Sequence, residues 1–378
     1  MKRALICLLI LALFLAACGE AAPTATEETS LPEETAAPTP EPTPEPTPEP
    51  TPEPTPEPTE WVVTDESAEE ILALAERESL KRIDATASTE YEALLELYRL
   101  RPDCEVLWNY EFEGTVYPST ATELKAQGLE GLEDALRYLP ALSYIDVIDT
   151  GATVEDLDRL YDINPEAFYY WSFRFDGHIL TTDILVYSTL LDGIKHRFTD
   201  EELYPLMKYC KHLRALDLGH NDLTDLTWIG KLTDLEVLIL ADNPHLVDAS
   251  PLANLTKLHY LELFMCPLVE DYSFLCRLPN LEELNLARND GLRDLSFLEY
   301  LPKMKFLMIK FTNVSEEDYL AWQERMPETR IVYIGYGDLE STGNGWRDTE
   351  KNAMIRRAFG YWFKVESYEG YDKVTFRD

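Results

Sequence analysis

Basic residues are scarce in this chain. Its 378 residues include 33 Lys and Arg against 70 Asp and Glu, which gives a formal net charge of −37 at pH 7. About −28 of this charge falls in residues 61–378. A surface of this sign repels phosphate backbones and anionic lipid headgroups. The composition therefore argues against nucleic acid as a partner, and it otherwise indicates a well-solvated surface.

Catalytic and redox motifs are also missing. The sequence contains no H-E-x-x-H, no G-x-S-x-G, no phosphate-binding loop and no dinucleotide fingerprint. No two cysteines form C-x-x-C, and those beyond residue 18 are Cys104, Cys210, Cys266 and Cys276. We expect mostly unpaired or buried thiols, although disulfides are permitted outside the cell. The six histidines are scattered, and we interpret them as surface residues. The sequence thus predicts no enzyme, no metal site and no cofactor.

Long apolar runs are limited to one, at residues 4–17. It follows Lys2 and Arg3, and it is too short to span a bilayer comfortably. This pattern predicts a signal peptide over residues 1–17. The sequence Leu15-Ala16-Ala17-Cys18 resembles the bacterial lipobox, which implies acylation (palmitate) of Cys18 and anchoring to the outer face of the cell membrane. An ordinary signal peptide that contains a cysteine is the alternative.

We expect residues 18–60 to consist of the acylated cysteine that the resemblance implies and a proline-rich stalk. Residues 19–60 have no Lys or Arg, but 11 Glu and 13 of the 24 prolines, in Thr-Pro-Glu-Pro repeats from Thr39. Such a segment has too few apolar groups to offset its ordering entropy. At about 3.1 Å per residue in polyproline II, it could reach on the order of 130 Å. We predict a disordered spacer, with a proline-rich groove ligand as the alternative.

A regular leucine pattern dominates the rest. Units begin at Leu213, Leu235, Leu258, Leu281 and Met304, which lie 22, 23, 23 and 23 residues apart. The first four match L-x-x-L-x-L-x-x-N/C, whose last position holds Asn221, Asn243, Cys266 and Asn289. L-x-L makes a short strand, and the polar residue bonds backbone groups in the turn that follows. The pattern predicts a leucine-rich-repeat solenoid of the α/β class, with a curved parallel sheet and short helices or turns on the convex side.

A second ladder recurs on the return path of each unit. It consists of Asp225, Asp248, Asp271 and Asp294, spaced 23 residues apart. We expect each carboxylate to cap the first amides of a short helical turn. A row of metal-binding carboxylates is the alternative.

The segment from Asp248 to Leu258 reads D-A-S-P-L-A-N-L-T-K-L. It resembles the D-I-S-P-L-A-N-L-T-x-L phrase of internalin-type leucine-rich repeats. The resemblance covers roughly residues 213–313. It implies a bacterial surface protein that binds other proteins, without naming a ligand.

The flanks of the regular units differ from them. Residues 61–103 predict a helical N-terminal cap, with a capping box at Ser67. Within the domain at 104–337, we interpret 104–212 as irregular repeats and 213–313 as regular ones; a separate small α/β domain is the alternative for 104–212. Two alternating runs predict strands there: Val106, Trp108, Tyr110, Phe112 and Tyr169, Trp171, Phe173, Phe175. Residues 338–378 predict a C-terminal cap with a helix at about 348–359.

The concave face holds the candidate binding site. The third, fifth and seventh residues of each unit point out of the sheet. They mix apolar and acidic residues, a composition typical of partner anchors. The candidates are Asp217, Ile239, Tyr260, Glu262, Phe264, Glu283, Phe306 and Met308. The alternative is that a cap or the chain's own tail covers them, for example the aromatic residues 361–363.

These features predict a monomeric, lipid-anchored surface module that binds a basic protein or peptide on its concave face. The alternative is a structural or adhesive envelope protein that binds a glycan or wall polymer.

Overall fold

The computed structural model of the chain describes residues 57–190, 196–333, 346 and 349–359. The predicted signal peptide, Cys18 and almost all of the stalk lie outside these residues, as do the aromatic residues 361–363. Among the described helices, none has the length and apolar composition needed to cross a membrane.

Residues 57–119 form a small parallel sheet followed by a hairpin. The sheet contains β1 (Glu60–Val62), β2 (Arg82–Asp84) and β3 (Glu105–Leu107), connected through α1 (Ala68–Ala73), a 3₁₀ turn (Leu74–Glu76) and α2 (Tyr91–Leu100). The hairpin contains β4 (Asn109–Phe112) and β5 (Thr115–Pro118). Ser67 begins α1 with a capping box, in which it and Glu70 accept each other's backbone N–H. This region therefore differs from a purely helical cap, because parallel strands lie between its helices.

Residues 120–182 repeat this arrangement. The second parallel sheet contains β6 (Glu123–Lys125), β7 (Tyr144–Asp146) and β8 (Phe168–Tyr170), connected through α3 (Leu132–Tyr138) and α4 (Val154–Ile163). Its hairpin contains β9 (Ser172–Phe175) and β10 (His178–Thr181). Both hairpins turn through an acidic residue and a glycine at positive φ, Glu113-Gly114 and Asp176-Gly177. Glycine adopts this conformation without steric cost, which suits a two-residue turn.

Two tryptophans, Trp108 and Trp171, mark this tandem duplication and lie 63 residues apart. Each separates the third strand of its sheet from the hairpin, so the two predicted alternating strands are interrupted there. The backbone N–H of Trp108 donates to the Ser119 hydroxyl at 3.2 Å, and the backbone N–H of Trp171 donates to the Thr182 hydroxyl at 3.0 Å. A hydroxyl at the end of the hairpin thus takes the backbone bond that a continuous sheet would supply.

The regular units form a seven-stranded parallel sheet. It contains β11 (Val186–Ser188), β12 (Ala215–Asp217), β13 (Val237–Ile239), β14 (Tyr260–Glu262), β15 (Glu283–Asn285), β16 (Phe306–Met308) and β17 (Arg330–Val332). The return paths contain α5 (Asp200–Met207), four 3₁₀ turns (Ile229–Lys231, Ser250–Asn254, Ser273–Arg277, Ser296–Tyr300) and α6 (Glu316–Arg325). After β17, α7 (Glu350–Ala358) belongs to the predicted C-terminal cap.

The core is continuous along the regular units. Leu216, Leu238, Leu261 and Leu284 are in register in neighbouring strands and fully buried. One apolar cluster runs from Phe112 in β4 through the second sheet to Ile331 in β17. Each buried leucine contributes about 1.5–3 kcal/mol of transfer free energy. Residues 120–190 thus share the core of the regular units, whereas residues 63–108 form a cluster of their own.

The turn residues bond the backbone of neighbouring coils. Asn289 accepts from the Cys266 N–H and donates to the Leu263 carbonyl, both at 2.8 Å, and Asn243 donates to the Leu218 and Leu240 carbonyls at 2.9 Å. Asn221 accepts from the Phe198 N–H at 2.9 Å. The residue directly before this turn position adopts positive φ in all five units, including those where the position holds Cys266 or Thr312: His220, Asp242, Met265, Arg288 and Phe311. The buried amides compensate for this unfavourable backbone conformation in successive coils.

The aspartate ladder lies on the return path. Asp225, Asp248, Asp271 and Asp294 each accept the N–H of the residue two positions on, at 2.8–2.9 Å. For the last three aspartates, the donor is the first residue of the 3₁₀ turn: Ser250, Ser273 and Ser296. The backbone N–H of Ser273 lowers the pKa of Asp271. These carboxylates bond their own turns, and no group of three or more metal-binding side chains is found within the described residues.

Candidate functional site: the outward face of the large sheet

The predicted binding residues share one face of the large sheet. Tyr260, Glu283 and Phe306 occupy the first position of three neighbouring strands and are in register. Asp217, Ile239, Glu262 and Met308 occupy the third position of their strands, and Phe264 follows β14. Middle positions such as Leu261 point into the core instead. The two-residue period of a strand therefore brings these eight side chains to the side opposite the core.

A C-terminal segment covers this face. Tyr260 and Met308 are fully buried and Phe306 is 3% exposed, although none of them belongs to the main core. They pack with Trp346 and with Ile355, Ala358 and Phe359 of the α7 segment. The alternative that the chain's own tail covers the face therefore describes this structure, and the described residues involved are Trp346 and those of 349–359.

Trp346 is the apolar anchor of the covering segment. Its ring stacks on Phe306 with centroids 5.3 Å apart and an interplanar angle of 19°, and it lies 5.1 Å from the Tyr260 ring. It is itself only 2% exposed. Large aromatic side chains dominate the energetics of such contacts, because each buries 150–250 Å² in general.

Polar contacts fix the first turn of α7. The Thr349 hydroxyl accepts from the Asn352 N–H at 3.0 Å, which caps the helix, and donates to Glu283 Oε2 at 2.9 Å. Asn352 Nδ2 donates to the Tyr260 hydroxyl at 2.6 Å, and that hydroxyl donates to Glu262. The helix start is therefore bonded directly to Glu283 and Tyr260, and through Tyr260 to Glu262.

One edge of the face carries a titratable residue just before each of the strands β12 to β16. Arg214 forks onto Glu236 with contacts of 2.9–3.1 Å, and Glu282 accepts from Lys305, which precedes β16, and from Lys351 of α7. Burial alone would raise the pKa of Glu282, but the two ammonium groups outweigh it and lower the pKa. The covering helix is therefore held partly by an ion pair with the acidic sheet.

His259 lies in this row between Glu236 and Glu282. It is not a surface histidine: its ring nitrogens have no hydrogen-bond partner among the described residues, and Nε2 lies 3.8 Å from Glu236 Oε2. Burial, and then Lys351, lower its pKa to about 4. His220 lies apart from it, with Nδ1 2.8 Å from Asp242 Oδ2. The two histidines therefore face different carboxylates.

Two carboxyl groups on the covered face hold their protons more tightly than usual. Burial raises the pKa of Glu283, although the Thr349 hydroxyl opposes the shift. Burial raises the pKa of Asp217 to about 7, although hydrogen bonds from the Gly219 N–H and the Ser188 hydroxyl favour the charged form and oppose the shift. Burial also raises the pKa of Tyr260, with Glu262 adding to it. Ile239, Glu262 and Phe264 remain half-buried at the margin of the covered area.

A second group of rings lies on the outward face of the second small sheet. This aromatic platform consists of Tyr144 of β7 with Phe168 and Tyr170 of β8. The Tyr144 centroid lies 5.8 Å from Phe168 and 6.4 Å from Tyr170, and Tyr144 is 37% exposed. The neighbouring middle residues Ile145 and Tyr169 fill the core. Phe168 and Tyr170 are half-buried, so the platform is partly open to solvent, whereas Tyr260, Phe306 and Met308 under α7 are buried.

The repeat spacing identifies the type of coil in the large sheet. Residues 211–254 match the family model described as Leucine Rich repeats (2 copies). The coils of the large sheet are leucine-rich repeats. A comparison with curated protein sequences finds no match.

Solved leucine-rich-repeat structures are similar to this chain. An internalin from Listeria monocytogenes is 20% identical over 61% of this chain and 62% of that chain, with a TM-score of 0.34. Internalin C2 from the same organism is 21% identical over 57% of this chain and 90% of that chain, with a TM-score of 0.32. A leucine-rich-repeat protein from Leptospira interrogans is 13% identical over 69% and 74%, with a TM-score of 0.31. The first alignment spans less than two thirds of that internalin.

Sequence reasoning missed two parts of the site. No repeat pattern includes the residues of the covering segment, namely Trp346, Thr349, Lys351 and Asn352. Their position on the sheet is therefore known only from the tertiary structure. Tyr144 carried a signal, since Leu142-Ser143-Tyr144-Ile145-Asp146-Val147 has the L-x-x-L-x-L form. Reading its third and fifth positions as outward, as for the regular repeats, would have placed Tyr144 and Asp146 on the exposed face.

The cysteines of the described residues are unpaired, and most are buried. The four in the described residues form no disulfide, and Cys104, Cys210 and Cys266 are buried. Cys266 donates to the Leu240 carbonyl with Sγ···O 3.2 Å, and burial raises its pKa to about 12. Its thiol therefore takes the structural place of the asparagine in its repeat.

Proposed function

We propose that this chain is a cell-surface module whose leucine-rich-repeat sheet binds an amphipathic, basic helix of a partner protein. Leucine-rich-repeat domains typically mediate protein binding through an extended concave surface. The observation that carries the proposal is the packing of α7 on that surface. A face that accepts one amphipathic helix has the shape and chemistry to accept another.

The contacts of α7 specify the chemistry of the partner. An aromatic side chain would take the place of Trp346 between Tyr260 and Phe306, and a cation would take that of Lys351 on Glu282. The partner must displace α7, since both need the same surface. A tethered segment competes at an effective concentration of the order of millimolar. Binding would therefore be weak until α7 is released.

The test uses a labelled peptide with the sequence of residues 346–359, measured by fluorescence anisotropy against two forms of the chain. The wild-type chain should bind it poorly. A chain with Trp346→Ala and Ile355→Ala should release α7 and bind the peptide at least tenfold more tightly. The matched control is Leu320→Ala, an exposed residue of α6, which should leave binding at the wild-type level.

Two outcomes would contradict this proposal. The first is equal binding by the wild-type and released chains. The second is unchanged binding after Tyr260→Ser is added to the released chain, provided that circular dichroism shows the repeats still folded. Either result would remove the outward face of the large sheet as a helix-binding site.

We further propose that Cys18 anchors the module to the outer face of a bacterial membrane, with residues 19–60 as the spacer. The support is the lipobox-like sequence and the proline-rich composition that follows it. Cys18→Ala should move the protein from the membrane fraction to the soluble fraction, and Cys276→Ala should not. Retention of the Cys18→Ala protein in the membrane fraction would refute lipid anchoring.

A further inference from the structure

The tandem duplication provides an internal comparison for the aromatic platform. At the outward positions of β2 and β3, the first copy has Arg82 and Glu105, which form an ion pair with Nη1···Oε2 2.7 Å. The same register positions of β7 and β8 hold Tyr144 and Phe168. The third ring, Tyr170, corresponds to Leu107. The same backbone arrangement is thus built with charged side chains in one copy, so the fold does not require rings in the other.

The platform is partly exposed although its rings are largely apolar. Tyr144 is 37% exposed, and Phe168 and Tyr170 are half-buried. The Tyr144 ring contacts the other two, and the His212 ring lies 4.5 Å from Phe168. No described helix covers them as α7 covers Tyr260. Exposed aromatic clusters without a structural purpose are typical of interaction surfaces.

Carboxylates surround the rings. Asp146 lies on the same face of β7, and its Oδ2 accepts from Lys125 Nζ at 3.1 Å. Asp149 is 3.8 Å from the same ammonium group. Burial raises the pKa of both tyrosines, and Asp146 and the exposed Asp183 add to both shifts. The carboxylates therefore make the electrostatic potential at the platform negative. The ammonium group of Lys125 is a cation that already pairs with two of them.

We propose that the aromatic platform binds Arg or Lys side chains in an extended basic segment of a partner protein. The faces of tyrosine and phenylalanine rings attract cations, and the neighbouring carboxylates complement the same charge. The net negative charge of the domain would steer such a segment toward the protein. This inference rests on the proposed protein-binding function, but it concerns a separate surface from the one under α7.

Lys125 makes the proposal specific. Its ammonium occupies the carboxylates that a partner's cation would use, so the two compete. Removing the lysine charge should tighten the binding of a basic peptide. A neutral sugar stacked on the same rings would gain nothing from that change.

The experiment measures the binding of a fluorescent peptide of alternating Arg and Gly to the full chain carrying Cys18→Ala. The platform variant, Tyr144→Arg with Phe168→Glu, reproduces the pair found in the first copy and keeps the net charge. The matched control, Arg82→Ala with Glu105→Ala, is also charge-neutral and lies at the equivalent place. We expect the platform variant to weaken binding about fivefold or more. The control should change binding less than twofold, and Lys125→Gln should strengthen it.

Three results would overturn the proposal. Equal loss in the platform and control variants would indicate unspecific attraction to an acidic surface. Unchanged or weaker binding by Lys125→Gln would remove the competition on which the proposal depends. Binding of a neutral N-acetylglucosamine oligomer that is lost in the platform variant, without binding of the Arg-Gly peptide, would assign the surface to a glycan.

Two checks keep the result readable. Tyr144→Ser alone replaces the double variant if circular dichroism shows that the latter is unfolded. The peptide of residues 346–359 tests the face under α7 instead. A negative result at the platform therefore does not contradict the proposed function, which the anisotropy measurement with that peptide decides.

Discussion

Asp217 is a buried carboxyl group that forms no ion pair with a cation among the described residues. Its Oδ1 accepts from the Gly219 N–H at 2.8 Å and its Oδ2 accepts from the Ser188 hydroxyl at 3.0 Å. These two bonds do not offset the loss of hydration, so burial raises its pKa to about 7. Because the folded pKa exceeds the unfolded one, Asp217 stabilises the fold fully only below about pH 4, and this contribution is lost as the pH rises through 7.

We therefore predict that Asp217→Asn stabilises the chain at pH 8. The amide keeps an acceptor for Gly219 and gains a donor for Ser188, without a charge to desolvate. The free energy of unfolding should rise by on the order of 2 kcal/mol at pH 8 and change little at pH 4. Urea titrations at both pH values measure this.

The control for this prediction is Asp149→Asn, which removes one charge from a side chain that is 75% exposed. It should have a small effect at both pH values. A loss of stability in Asp217→Asn at pH 8 would instead show that the ionised carboxylate is used in the folded state.

At the scale of the elements, the spacing between coils limits which side chains the return path accepts. A Cβ added at Gly291 would lie 2.2 Å from the Val269 carbonyl oxygen of the preceding coil. A Cβ at Gly230 would lie 2.6 Å from the Pro251 carbonyl oxygen of the next coil. Both obstacles are backbone atoms, which cannot rotate away as a side chain does. These glycines allow neighbouring coils to approach.

We predict that Gly291→Ala destabilises the chain by about 2 kcal/mol, because a methyl group must force two packed coils apart. The control is Gly128→Ala, where the added Cβ meets only the Glu113 carboxylate at 3.6 Å. Thermal unfolding followed by circular dichroism compares the two. An effect of Gly291→Ala no larger than that of Gly128→Ala would mean that the coils yield without cost.

At the scale of the whole molecule, negative charge dominates. Residues 61–378 carry about −28 of the formal net charge of −37, which makes their compact state repel itself. Many of the ion pairs are exposed, such as Lys81–Asp103 and Arg325–Glu299, and exposed pairs contribute little individually. Repulsion should therefore outweigh these local attractions.

We predict that raising NaCl from 10 mM to 150 mM increases the melting temperature by about 2 °C or more at pH 7.5. This change shortens the Debye length from about 30 Å to about 8 Å, which screens long-range repulsion more than close ion pairs. Differential scanning calorimetry measures the shift, and equimolar sucrose is the control. A lower melting temperature in salt would show that the ion pairs outweigh the repulsion.

The regular part of the fold could be predicted because its signals are local and repeated. Leu261 points into the core and Tyr260 out of it because strand side chains alternate, and Asn243 sits in a turn because the chain leaves the strand there. The strand between α1 and α2 could not be predicted from its own residues, since Arg82–Asp84 contains two charged residues and one apolar residue. The duplication was missed because its two copies share spacing more than residues.

The sequence alone determined the solenoid, the eight candidate side chains on one face and the acidic character of the surface, because periodicity and composition act within a few residues. Only the tertiary structure decided which outward faces are open. Trp346 lies 40 residues after Phe306 in the chain and stacks on it, whereas Tyr144, Phe168 and Tyr170 meet no such cover among the described residues. Where α7 docks depends on contacts between distant segments, and no local pattern carries that information.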